Sequence, residues 1–140
     1  AKRKVDELIS ESDSIISKCS KYFDELDCII VDEAQFLNQG QVDELWYVTK
    51  IYDIPVIAFG LRTDFRANLF EGSSRLLALA DDIQEMPTIC RCGSKARFNA
   101  RIINGEYTTH GDSIVIDDKQ DVKYESVCGA CYVKKLLNKK

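Results

Sequence analysis

The stretch Leu26-Asp27-Cys28-Ile29-Ile30-Val31-Asp32-Glu33 is a short apolar run, rich in β-branched residues, that ends on two carboxylates. Such a run reads as a strand of a parallel sheet buried on both faces, since a strand with one wet face would alternate apolar and polar residues. Eight residues further on, Gln41 to Tyr52 carries Val42, Leu45, Trp46 and Tyr52 on one face, with Gln41, Asp43, Glu44 and Lys50 elsewhere. This predicts a helix opening after Asn38-Gln39-Gly40. A second apolar run, Pro55-Val56-Ile57-Ala58-Phe59, follows. Strand, helix and strand in this order form a βαβ unit, with the strands parallel and the crossover right-handed. Both strand exits, Asp32-Glu33 and Gly60-Leu61-Arg62-Thr63-Asp64-Phe65-Arg66, then open at the carboxyl edge of the sheet, where ligands bind in open α/β folds.

Outward from this unit the signals weaken. On the N-terminal side, Val5, Leu8, Ile9, Ile15, Ile16, Cys19 and Phe23 suit an amphipathic helix or two helical pieces, interrupted by Ser10, Ser12 and Ser14. On the other side, Leu76, Leu77 and Leu79 predict a helix over Ser73–Ala80. Composition changes at Pro87: two cysteine pairs, short strand-like stretches and an Asn104-Gly105 turn follow. Two domains are therefore expected, an α/β core over residues 1–87 and a smaller lobe over 88–140.

Charge divides the same way. Residues 1–89 hold 9 Lys and Arg against 17 Asp and Glu, while residues 90–140 hold 10 against 6, for a net −4 over the 140 residues. An acidic chain does not suit a dedicated nucleic-acid binder, whose affinity comes largely from neutralised phosphates, so no stable nucleic-acid partner is expected. No apolar run is long enough to span a bilayer or to form the core of a secretion signal, so no membrane association is expected and the cytoplasm is the expected compartment.

Four of the six cysteines form Cys90-Arg91-Cys92 and Cys128-Gly129-Ala130-Cys131, two close pairs with 35 residues between them. Each tight turn can offer two thiolates to one tetrahedral zinc; the second pair has the usual Cys-x2-Cys spacing and the first is one residue shorter. Reduced thiols packed as small hydrophobes are the competing reading. Cys19 and Cys28 fall on apolar faces, as core residues do, and His110 reads as a surface residue near a turn.

Several blocks, taken together, carry a family resemblance. Val31-Asp32-Glu33-Ala34-Gln35-Phe36-Leu37, Phe59-Gly60-Leu61-Arg62-Thr63-Asp64-Phe65-Arg66, Leu69-Phe70-Glu71-Gly72-Ser73, Thr88-Ile89-Cys90-Arg91-Cys92-Gly93 and Tyr124-Glu125-Ser126-Val127-Cys128 resemble, in order and spacing, the type II (cellular-type) thymidine kinases. The resemblance covers nearly everything after residue 27, and the Cys-x-Cys form of the first pair is similar to a branch found in some bacteria. It implies a P-loop-kinase-like parallel-sheet core with an appended zinc-binding lobe, transferring the γ-phosphate of ATP to the 5′-hydroxyl of thymidine in deoxynucleoside salvage. It further implies Glu33 as the general base, Asp32 as the magnesium-side acid, and Cys90, Cys92, Cys128 and Cys131 as ligands of a structural zinc. Phe36, Leu61, Phe65, Phe70 and Tyr124 would wall the thymine pocket, with Arg101 near it and Val115 and Ile116 in a loop that closes over the base. Mg²⁺ would arrive with ATP, thymidine triphosphate would act as feedback ligand, and the assembly would be a homotetramer.

The sequence departs from this pattern in two places. The closing loop reads Asp117-Asp118-Lys119-Gln120-Asp121-Val122-Lys123 in place of the family's Gly-Gly pair. The phosphate-cradling Gly-x4-Gly-Lys-Ser/Thr motif is absent from these 140 residues. Since the chain opens at Ala1 with no room for the strand that would carry that loop, the expectation is part of a longer kinase rather than a relic that binds without catalysing. Two other classes compete with this reading. A fragment of a DEAD/DEAQ-type ATPase is suggested by Asp32-Glu33-Ala34-Gln35, but it would need a basic strand-binding face. A non-catalytic zinc-ribbon interaction module would explain the cysteines and leave the Asp-Glu strand without a task.

Overall fold

The computed structural model describes residues 4–111 and 121–137. It divides into two units, residues 1–62 with 70–83 and residues 63–69 with 84–140. The segment 63–69, placed by the expected boundary in a core over 1–87, thus packs with the second unit.

The first unit is built on the βαβ motif. Strand β1 (Ile29–Val31) pairs in parallel with β2 (Val56–Ala58), Ile29 opposite Val56 and Val31 opposite Ala58. Between them runs α2 (Gln39–Ile51), preceded in the chain by α1 (Ile15–Cys19). The α2 N-terminus is closed by a capping box, in which the Asn38 side chain accepts from the Gln41 N–H and the Gln41 side chain accepts from the Asn38 N–H. Gln41 also donates from Nε2 to the Ser10 and Asp13 carbonyls, tying the N-terminal segment down. Of the amphipathic helix or two helical pieces expected between Val5 and Phe23, only α1 and a 3₁₀ turn over Ser20–Tyr22 form, and residues 4–13 are not helical. Ser10 turns back to bond Asp13 and Ser14 caps α1, so local side-chain bonds compete with helix over the serine-rich stretch. The Glu44 carboxylate of α2 accepts from the Ile15 N–H and the Ser14 hydroxyl, fixing where α1 begins.

The core of this unit joins Ile15, Ala34, Leu37, Val42 and Leu45 with the partly buried Ile29, Val31, Val56 and Ala58. Burial of both sheet faces is a correction: Ile30 is 69% exposed, and Ile57 next to it is exposed too. Helices cover one face of β1 and β2, and the apolar run, equally suited to two covered faces, does not by itself supply a second layer. On α2 the buried stripe is Val42, Leu45 and Val48, while Trp46 and Tyr52 are exposed. Helix α3 (Glu71–Leu79) follows Phe70 as its extended N-cap residue, and its Gly72 lies against the carbonyls of Ala34, Leu37 and Gln35.

The second unit carries an antiparallel sheet of β3 (Phe98–Ile103), β4 (Glu106–Thr108) and β5 (Val122–Val127), in the order β4-β3-β5. Asn104 and Gly105, both at positive φ, make the β3–β4 hairpin turn expected of an Asn-Gly pair. Helix α4 (Gly129–Tyr132) follows β5. Ala96, Ala100, Val127, Tyr132 and Leu136 form a core that includes Cys90 and Cys128. The 63–69 segment is held to this core by a bond from the Tyr132 hydroxyl to the Phe65 carbonyl at 2.6 Å, and by Asn99 to the Thr63 carbonyl.

Candidate active site and cysteine cluster

At the carboxyl end of β1 the chain turns sharply. Glu33 takes a left-handed backbone conformation (φ 52°, ψ 40°), uncommon for a residue with a side chain and found where surrounding structure imposes it. Its N–H donates to Asp32 Oδ1 at 2.9 Å, and a single 3₁₀ turn over Ala34–Phe36 follows. The Ala34 N–H donates to the Phe59 carbonyl, anchoring this turn to the exit of β2. Ala34 and Gln35 are buried while Asp32 and Glu33 stay exposed, so the two carboxylates face solvent from a fixed base. The Gln35 amide donates to Glu33 Oε2 at 2.5 Å, and its carbonyl accepts the Leu61 N–H at 3.2 Å. Phe36, 51% exposed, meets Phe70 edge to face, with ring centroids 5.7 Å apart. Leu61 is exposed, and its carbonyl accepts from the Ser73 hydroxyl of α3. The first unit therefore gathers Asp32, Glu33, Phe36, Leu61 and Phe70 around one turn and one loop.

In the second unit Phe65, Arg101 and Tyr124 form a stack. Arg101 has no exposed surface, and its guanidinium carbon lies 3.5 Å from the centroid of Phe65, itself 1% exposed. Arg101 Nε donates to the Tyr124 hydroxyl at 3.1 Å, while the Tyr124 ring is largely exposed. Within its unit Phe65 is thus a packing platform and Tyr124 the accessible member. Val115 and Ile116 lie outside the described residues, as does most of the Asp117–Lys123 loop. His110 is exposed, as expected.

The four cysteines converge. The sulfurs of Cys90, Cys92, Cys128 and Cys131 all lie within 4.8 Å of one another, and those of Cys92 and Cys128 are 3.6 Å apart. Ligands about 2.3 Å from a tetrahedral zinc are separated by roughly 3.8 Å, so this set fits the ion. The one-residue spacing of the first pair is accommodated because the 90–94 turn closes through bonds from the Gly93 N–H to the Cys90 carbonyl and from the Cys90 N–H to the Ser94 carbonyl. Cys128 caps α4, accepting the Cys131 N–H. The backbone N–H of Ser94 stabilises the Cys92 thiolate and lowers its pKa to about 6. The Cys92 N–H likewise lowers Cys90, whereas the Cys128 thiol and its neighbours push Cys131 up to about 12. Four sulfurs so close cannot all ionise without a cation among them, the electrostatic condition that a divalent metal satisfies.

An α/β unit presenting paired carboxylates at a strand exit, in a chain that also carries a four-cysteine cluster fit for a metal ion, defines a two-unit α/β protein with a cysteine-bearing lobe. The thymidine kinase family model matches residues 2–132, and the chain belongs to that family. It is 40% identical over 126 residues to a thymidine kinase of Francisella tularensis subsp. holarctica, covering 86% of this chain and 64% of that protein. A thymidine kinase of Mannheimia succiniciproducens is 43% identical over 130 residues (86% and 66%), and one of Rhodopirellula baltica 48% identical over 104 residues (74% and 48%). The chain thus spans between about half and two thirds of the length of these relatives. Family membership displaces the DEAD/DEAQ reading. Among the described residues no helix is long and apolar enough to cross a membrane.

The sequence pattern assigns Gln35 no task, although it stands inside the Val31–Leu37 block. The available signal was a polar amide flanked by Ala34 and Phe36 where the turn buries its side chain, and burial of that kind is not visible in the linear pattern.

Proposed function

We propose that the protein acts in transfer of the γ-phosphate of ATP to the 5′-hydroxyl of thymidine. The observation that carries this reading is the Glu33 carboxylate, solvent-facing at the carboxyl end of β1 yet tethered by a buried amide, as a base that must meet an incoming hydroxyl requires. In this reading Glu33 accepts the 5′-hydroxyl proton as the oxygen attacks phosphorus. Asp32 holds the magnesium side, and one exposed carboxylate fits an ion that keeps most of its waters and shares the rest of its shell with phosphates. When bound, Mg²⁺ neutralises the charge that develops on the phosphoryl oxygens.

Phe36, Leu61 and Phe70 offer apolar surface to the base and its methyl group, and Tyr124 offers a ring face. Arg101 and Phe65 are assigned the support beneath Tyr124, with Val115 and Ile116 kept as base-contacting residues. Zinc held by the four cysteines serves as a structural cross-link. Thymidine triphosphate as feedback ligand, a homotetrameric assembly and a cytoplasmic setting complete the proposal, on the strength of the family.

Calorimetric titration of the zinc-loaded chain with thymidine, against cytidine and deoxyguanosine, tests it. Selective thymidine binding is expected. Folded, metal-loaded protein that binds no nucleoside would overturn the substrate assignment.

A further inference from the structure

Gln35 has 2% of its surface exposed, and both ends of its amide are engaged. Nε2 donates to Glu33 Oε2, and Oε1 accepts the Leu61 N–H. This orientation is the one the surroundings permit. A carboxylate accepts and an amide N–H donates, so the flipped amide would set oxygen against oxygen and N–H against N–H.

The contact to the second strand exit is made possible by Gly60. A Cβ there would lie 2.6 Å from Gln35 Oε1 and 3.0 Å from the Gln35 nitrogen, so a side chain at residue 60 would push the loop off the amide. Ala34, fully buried beside Gln35, donates its N–H to the Phe59 carbonyl, so two successive residues of the turn, Ala34 and Gln35, are pinned to the β2 exit. Glu33 leaves the backbone from a left-handed residue into solvent, where its freely rotating side chain would sample several rotamers. Of the two Glu33 carboxylate oxygens, Oε2 is taken by the buried amide, which leaves the other face of the carboxylate for a ligand.

We infer that Gln35 is a positioning residue that clamps the Glu33 carboxylate to the Gly60–Leu61 backbone and so fixes the direction from which that carboxylate meets the substrate hydroxyl. The inference rests on the assignment of Glu33 as base. The amide is suited to the task because it is neutral: it restrains the carboxylate through a hydrogen bond without pairing it with a full charge. A Glu in its place would oppose two carboxylates, and a Leu would leave the Leu61 N–H and the Glu33 carboxylate without this partner.

The test is nuclear magnetic resonance on the zinc-loaded chain, following the Gln35 side-chain amide and the Leu61 backbone amide. On acidification the Gln35 amide resonances are expected to shift as their carboxylate partner takes up a proton. That shift should vanish in Glu33→Gln and persist in Asp32→Asn, which separates Glu33 from its neighbour, whose Oδ1 accepts the Glu33 N–H. Added thymidine should move the Glu33 carboxyl carbon resonance in the wild type, and that response should be lost in Gln35→Leu and in the near-isosteric Gln35→Glu. A Gln35 amide indifferent to pH, or titrating identically in Glu33→Gln, overturns the inference. So does a Gln35→Glu chain whose Glu33 carbon answers thymidine as the wild type does. If thymidine binds none of these proteins, the kinase reading fails, while the Gln35 titration still decides whether the clamp exists.

Discussion

Gly72 and Gly40 both occupy the first turn of a helix, yet their surroundings give substitution opposite signs. A Cβ at Gly72 would lie 2.5 Å from the Ala34 carbonyl oxygen, 2.7 Å from that of Leu37 and 3.0 Å from that of Gln35, all backbone atoms. A Cβ at Gly40 would meet only Asn38 Oδ1, at 3.4 Å. Replacing helical Gly by Ala gains about 0.5–1 kcal/mol of backbone entropy, whereas overpacking a filled contact costs about 1–3 kcal/mol. Gly72→Ala should therefore lower the thermal midpoint of the chain and Gly40→Ala should leave it unchanged or raise it. Equal midpoints for the two variants would mean that α3 does not rest on the 34–37 turn as described. At the neighbouring Glu33, substitution by Gln keeps shape and removes the proposed base. Phosphoryl transfer, measured on the whole polypeptide, is expected to fall by about 10²–10⁴-fold with thymidine affinity changed by less than about threefold. Equal losses in both would place Glu33 in binding and not in proton transfer.

Elements were legible where one physical rule governed them alone. The helix over α2 could be read from its periodicity, although it begins at Gln39, two residues before the expected start, where the Asn38 capping box sets it; the parallel pairing of β1 with β2 followed from the βαβ spacing. The exposed Ile30 could not be read, because an apolar run records what a strand tolerates and not which layers the chain supplies to cover it. Nor could the link among β4, β5 and the Val133–Leu137 turn. There the Tyr107 hydroxyl donates to Glu125 at 2.8 Å, while Lys135 donates to Glu125 at 3.3 Å and to the Tyr107 oxygen at 3.0 Å. The Tyr107 hydroxyl, foremost, and Lys135 hold the Glu125 carboxyl below its ordinary value. A carboxylate lowered in the folded state adds stability that is complete above its unfolded pKa, about 4.3, and is lost as pH falls through the folded value. Glu125→Gln should therefore cost about 1–2 kcal/mol near neutral pH, and the gap from wild type should close as pH drops below about 4. Thermal melts of both proteins from pH 7 to 3 read this directly. A gap that widened on acidification would reverse the assigned role.

For the whole chain, the cysteine pairs announced a second unit, but they did not reveal that residues 63–69 belong to it, since that depends on a buried bond from Tyr132 to Phe65 and a partly buried one from Asn99 to Thr63. The same limit applies to the thiols: spacing nominated four ligands, and only their convergence to within 4.8 Å shows that a turn with a single intervening residue can present two sulfurs to one ion. A metal there ties residues 90–92, before β3, to residues 128–131, after β5, so it closes the unit across its whole sheet. Its removal should loosen β3, β5 and α4 together, because binding energy at such a site is also folding energy. Chelation is expected to raise amide exchange in those elements while β1 and β2 keep their protection. Cys128→Ser separates the metal from other roles of the residue. Cys128 also caps α4, and serine is among the best N-caps, so the helix start is retained while a thiolate ligand is lost. Cys92 is exposed and has no cap to lose, which makes Cys92→Ser an independent check. Both variants should purify with less than the wild-type metal content and show the exchange pattern of the chelated protein. Full metal in both would place the ligands elsewhere, and loss of metal without loosening would make the cluster a passenger of a lobe already stable through Ala100, Val127 and Tyr132.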